Sequence, residues 1–160
     1  SELCATMDFE DIADFDLADD RHRGTFLHGV LSRVNRLPDL ELALSRQAYR
    51  YRLSAADTAE CRRILTRALS DPRVRPWFEG FRRAVNERPL TGPGSLRRPD
   101  RVVWLPDGTI AVIDYKFGIH NLPSYRDQVR DYVSLLEAAG HRGAEGYLWF
   151  PLKGEIIRVV

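Results

Sequence analysis

Asp100-Arg101-Val102-Val103-Trp104-Leu105-Pro106-Asp107-Gly108-Thr109-Ile110-Ala111-Val112-Ile113-Asp114-Tyr115-Lys116 is the stretch that decides the fold. Two runs rich in Val and Ile flank Pro-Asp-Gly, which predicts a hairpin with strands over 100–105 and 109–116. Pro106 suits the first position of a type I turn and Asp107 the second. Gly108 then supplies the left-handed residue that closes a three-residue loop with a G1 bulge. In that loop Leu105 faces Thr109, which pairs Trp104 with Ile110, Val102 with Val112, and Asp100 with Asp114. Side chains alternate along a strand, so Asp100 and Asp114 share one face, and Lys116 joins them two residues on. The competing two-residue loop, Asp107-Gly108, shifts the register by one and puts the two acids on opposite faces.

In the first register two carboxylates meet at about 4.5–5.5 Å between Cβ atoms, where like charges repel. Such a pair needs a cation or a shared proton. A divalent ion with oxygen ligands answers the need, since Mg²⁺ takes one or two carboxylates and keeps several waters. The bland alternative is a surface hairpin pair. Lys116 adds to the case, because the chain has 22 Arg and two Lys, Lys116 and Lys153. A Lys beside the acids of so Arg-biased a chain suggests a compact ammonium at a reacting centre. Its alternative is a solvated strand-end lysine.

Outward from the hairpin, periodicity predicts helices before it. Leu27, Val30, Leu31 and Val34 form one apolar stripe over 24–36. A second, less regular helix spans 39–52. Ser54 with Asp57 resembles a capping box and opens a third helix to Leu69. Ser70-Asp71-Pro72 starts a helical turn ending near Gly80. Phe81–Arg88 reads as a strand, 123–139 as a helix stopped by Gly140, and Tyr147–Phe150 and Glu155–Val160 as two last strands. That order implies an α/β domain, a mixed central sheet flanked by helices, with an N-terminal helical segment.

A length of 160 residues suits one domain. Two cysteines, Cys4 and Cys61, exclude a disulfide framework or a four-cysteine iron–sulfur cluster. No apolar run is long enough to span a bilayer. The net charge of +1 is uneven: residues 1–20 hold eight acids and no Lys or Arg, so the remaining 140 carry 24 basic and 15 acidic residues. Residues 1–20 read as an acidic linker or lead-in, and 21–160 as a domain whose charge suits a polyanion or a solvated Arg-rich surface. Among the Arg pairs, Arg97 and Arg98, with Arg101, flank the acids and are candidates for phosphate contacts.

The hairpin acids with Asp114-Tyr115-Lys116 are similar to the PD-(D/E)XK nuclease signature, to which Pro99-Asp100 contributes the "PD". Gly24-Thr25-Phe26-Leu27-His28-Gly29-Val30-Leu31 resembles the His-bearing helix of RecB-family nucleases. Asn86-Glu87-Arg88-Pro89 carries an acid where that family has one. Asp114-Tyr115-Lys116-Phe117-Gly118 resembles its D-Y-K-T-G, with Phe for Thr. Gln128 and Tyr132 match its Q-x-x-x-Y helix, and Tyr147-Leu148-Trp149-Phe150 its closing strand.

The resemblance to RecB/AddA-type nuclease domains implies a restriction-endonuclease-like fold. It implies Mg²⁺- or Mn²⁺-dependent hydrolysis of DNA in bacterial double-strand-break repair and recombination. On that resemblance the expected DNA is single-stranded, delivered by superfamily 1 helicase domains in the same chain or complex, and the expected place is the cytoplasm at the nucleoid. It further implies His28, Asp100, Asp114 and the Tyr115 backbone carbonyl as metal ligands, and Lys116 at the scissile phosphate. Glu87 is a ligand or water holder, or the partner of a nearby Arg. Gln128 and Tyr132 are DNA contacts or supports, or a polar patch beside the core. The alternative function is an inactive nuclease-fold module that binds DNA or scaffolds a helicase complex.

Overall fold

The computed structural model describes residues 15–87, 98–118 and 121–160. Helix α1 spans Asp20–Leu31. It starts four residues before the expected helix because Asp19, in extended conformation, accepts the His22 amide at 3.0 Å, which satisfies a helix-end donor. Residues 15–20, expected to end a lead-in, are therefore part of the fold. The Phe15 ring also lies 4.5 Å from that of Tyr51. Residues 1–14 of that expected segment lie outside the described residues.

A 3-10 turn at Leu37–Asp39 leads into α2 (Leu40–Arg50). Ser54 caps α3 (Ala55–Leu69) by accepting the Asp57 amide at 3.1 Å, as its spacing predicts. A second 3-10 turn, Arg75–Trp77, precedes the first strand.

Strands β1 (Arg83–Asn86), β2 (Arg101–Trp104), β3 (Ile110–Tyr115), β4 (Ala144–Phe150) and β5 (Glu155–Arg158) lie in that order in one five-stranded sheet. Helix α4 (Leu122–Ala138) joins β3 to β4, the one parallel pair; the other neighbours are antiparallel. A crossover helix is what a parallel pair requires. The architecture is mixed α/β, with a mixed sheet and four helices among the described residues.

The central hairpin has the register of the three-residue loop: Val102 faces Val112, Trp104 faces Ile110, and Leu105 N–H bonds Thr109 O at 2.9 Å. Gly108 takes φ 90°, which L side chains avoid. The odd-numbered residues Val103, Ala111, Ile113 and Tyr115 pack with Trp149 into the core under α1–α3. The even-numbered Val102, Ile110 and Val112 pack under α4 with Val133 and Leu136.

Helix α4 sits close on the sheet at Gly146. A Cβ there would lie 2.4 Å from Val129 Cγ1 and 3.1 Å from Val133 Cγ2. Gly146→Ala is expected to destabilise by about 1–3 kcal/mol through overpacking. Equilibrium urea unfolding checks this, and an unchanged midpoint would show that α4 can move.

Candidate metal and phosphate site

Four separate chain segments meet at one end of the strands β1–β3. Asp114 and Lys116 come from the end of β3, Glu87 follows β1, Asp100 precedes β2, and His28 reaches across from α1. The backbone ties the strand ends together, with Glu87 N–H bonded to Asp100 O at 2.9 Å. Glu87 itself has φ 48°, a left-handed conformation that costs a non-glycine residue of order 1 kcal/mol or more.

Asp100 departs from the expected ladder pairing. The last bridge of the hairpin is Arg101 with Ile113, and Asp100, one residue beyond, turns its carboxylate across the end of β3. Its Oδ2 accepts the Tyr115 amide at 2.7 Å, and its Oδ1 lies 2.8 Å from His28 Nε2. Asp114 is 4% exposed and its Oδ2 is 2.8 Å from Lys116 Nζ. His28 turns its other ring nitrogen, Nδ1, toward Glu87 Oε1 at 3.5 Å. That oxygen is buried and has no hydrogen-bond partner among the described residues, an uncommon and costly state for a carboxylate.

Nitrogen and oxygen atoms of His28, Glu87 and Asp100 lie within 4.8 Å of one another. One imidazole and two carboxylates at that spacing can hold a metal ion. The orphaned Glu87 oxygen is the observation that most favours a cation as their partner.

The electrostatics match two acids crowded out of water. Burial, and then the nearby Asp100 charge, push Asp114 up to about 8 despite Lys116. Burial acts the same way on Asp100, but the His28 hydrogen bond and charge outweigh it and hold that carboxyl below its usual value. His28 is raised: burial opposes its charge, and the carboxylates of Asp100 and Glu87 more than compensate.

A pH dependence follows for the metal-free protein. An ordinary Asp titrates near 3.8, so between there and about 8 the folded chain keeps a proton on Asp114 that the unfolded chain has released. Stability is expected to fall as pH rises through that window. His28 is also raised and acts in the same direction above 6.5. Asp100 is lowered, so its contribution is lost only in acid, below 3.8. In EDTA the urea midpoint should drop from pH 5 to pH 8, and Asp114→Asn should flatten the drop. An equal drop in both proteins would refute the assignment.

Other expected site residues divide. Arg101 belongs to the opposite face and is no phosphate contact: it is fully buried. Its guanidinium donates to Trp77 O (2.9 and 2.6 Å), Val34 O (3.1 Å), Asn35 O (2.7 Å) and Asn86 Oδ1 (2.8 Å). Tyr132 is 5% exposed in the core between α4 and the sheet, so it offers no surface for DNA. Of the two readings of that helix face, the core holds for Tyr132, while Gln128 is half-buried.

Arg98 is exposed, and Arg97 lies outside the described residues. Tyr115 brings its amide to Asp100, while its ring packs on Trp149 on the far face. Of the surface Arg pairs, Arg62 pairs with Glu41 and Arg63 with Glu60, the solvated-surface outcome.

Family models give no match to this chain, and a comparison with curated proteins gives none either.

Proposed function

We propose that the chain is a metal-dependent deoxyribonuclease domain of the RecB/AddA type on a restriction-endonuclease-like fold. It hydrolyses phosphodiester bonds of single-stranded DNA that linked superfamily 1 helicase domains deliver during double-strand-break repair and recombination. The observation that carries this reading is the convergence of His28, Glu87, Asp100, Asp114 and Lys116 at one end of the central strands, with a buried carboxylate oxygen that has no hydrogen-bond partner among the described residues.

His28, Glu87 and Asp100, with Asp114 beside them, would hold Mg²⁺ or Mn²⁺, hard ions suited to oxygen-rich donors. When bound, the ion supplies positive charge against the phosphate oxygens. The residues do the rest. His28 now stands with Nε2 on Asp100 and Nδ1 toward Glu87, so one of these carboxylates would keep the ring oriented while the other nitrogen turns to the ion. The Tyr115 amide pins Asp100. Lys116, held 2.8 Å from Asp114, aims an ammonium at the place where charge grows as the water oxygen bonds to phosphorus and the bond to a sugar oxygen breaks. The protons balance: the attacking water gives one up and the departing sugar oxygen takes one.

The test is cleavage of a labelled single-stranded DNA with Mn²⁺ and with EDTA. Ion-dependent cleavage is expected. Mn²⁺ binding without cleavage of any DNA would instead favour a nuclease-fold module that has lost its chemistry.

A further inference from the structure

Both lysines of this Arg-rich chain line the same cleft. Lys116 and Lys153 share an opening of about 820 Å³ with Arg21 and Arg23, and the acid that lines it, Asp20, is bonded to Arg23 at 2.8 Å. Phe117 and Tyr125 form part of the wall, and Lys116 Nζ sits 4.2 Å above the Tyr125 ring. Lys116 also bonds Asp114, and Gly24, Thr25 and Phe117 are shared with the adjoining opening that His28 and Asp100 line, so the cleft borders the carboxylates. Arg101 and Tyr132 are buried elsewhere, which leaves the contacts to a polyanion to other residues.

We infer that a single DNA strand lies in this cleft, with Arg21 and Lys153 on its phosphates and Phe117 and Tyr125 against its bases. The inference rests on the nuclease reading for the chemical class of its ligand. Cations beside aromatic rings are the combination that grips a single strand, since every base offers a face to stack on and every linkage a charge. A duplex keeps its base faces stacked inside, out of reach of such rings. The acids lie deep, with 5% of the Asp114 side chain and 13% of that of Asp100 exposed. A flexible strand can lower a phosphate to them.

The experiment is fluorescence anisotropy of a labelled oligothymidine strand in EDTA, at several salt concentrations, on the parent and on Arg21→Glu/Lys153→Glu. Arg46→Glu/Arg63→Glu carries the same charge change on α2 and α3 as a control. The cleft variant should bind at least about tenfold more weakly. Its slope of log affinity against log salt should be shallower by roughly 1.4, about 0.7 for each phosphate that the variant leaves unneutralised. The control should weaken much less, and Mn²⁺ binding should be unchanged in both.

Equal binding by parent and cleft variant, or no binding by the parent, overturns the strand path. So does tighter binding of a blunt duplex with the same sensitivity. Mn²⁺-dependent cleavage by the parent would leave the nuclease reading standing in each of those cases. A strand bound through the cleft but never cleaved sinks the nuclease reading alone.

Discussion

Asp114→Asn is expected to reduce Mn²⁺-dependent cleavage of single-stranded DNA by at least about a thousandfold, the scale on which preorganised charge at a reacting phosphate acts. The substitution keeps size and shape and removes the charge that would face the ion. It also replaces the ionic partner of Lys116, 2.8 Å away, by a neutral amide oxygen or NH2, so the ammonium is held less firmly. The fold should survive, and in EDTA at pH 8 it should gain stability, because the buried like charge beside Asp100 is gone. Two measurements on one variant therefore move in opposite directions: turnover collapses and the urea midpoint rises. A variant that lost both would mean that Asp114 is a structural residue. One that kept full cleavage would remove it from the site.

Arg101→Met should cost roughly 3–5 kcal/mol, the range for breaking a buried, hydrogen-bonded charge network. The guanidinium satisfies the carbonyls of Val34, Asn35 and Trp77 and the Asn86 side chain, and it stacks 4.3 Å over the Phe78 ring. Methionine fills much of the volume and none of the bonds. Arg101→Lys should recover little, since an ammonium is compact and cannot span the same set of acceptors. Circular dichroism of thermal unfolding would check both variants. A Met variant within about 1 kcal/mol of the parent would show that water reaches these carbonyls without disruption.

The hairpin was legible because turn chemistry and side-chain alternation leave few registers. Pro106-Asp107-Gly108 selected the one observed, though its ladder stops at Arg101 short of the expected Asp100–Asp114 pair, and alternation along β3 alone puts Asp114 and Lys116 on one face. The same alternation carried a message about Arg101: an odd position, between even-numbered acids, must face the other layer. Its charge and nearness in sequence suggested DNA, whereas its parity decides where it points. Tyr132 misled for a related reason, since a position four residues from Gln128 fixes a helix face but not the depth of that face against a sheet.

The beginning of α1 was hidden by composition, as eight acids in twenty residues look like solvated chain although one of them caps a helix. What no local pattern could give is the cleft. Arg21 and Lys153 stand 132 positions apart, and only the packing of α1 beside the β4–β5 turn sets them around one opening. The scarcity of lysine was the available clue, and it pointed to Lys153 as much as to Lys116.

Glu87 holds a backbone conformation, φ 48°, in which glycine or asparagine sits more comfortably than glutamate. A chain shaped by stability alone would place one of those residues at 87. Here the strained residue instead carries a buried carboxylate oxygen with no hydrogen-bond partner among the described residues, 3.5 Å from an imidazole nitrogen and next to a second acid. Backbone and side chain both run uphill at one position, so this corner of the molecule concentrates free energy that the rest of the fold must offset. Such a corner is where proteins trade robustness for readiness: its groups already stand together, held by contacts among themselves that a cation would replace.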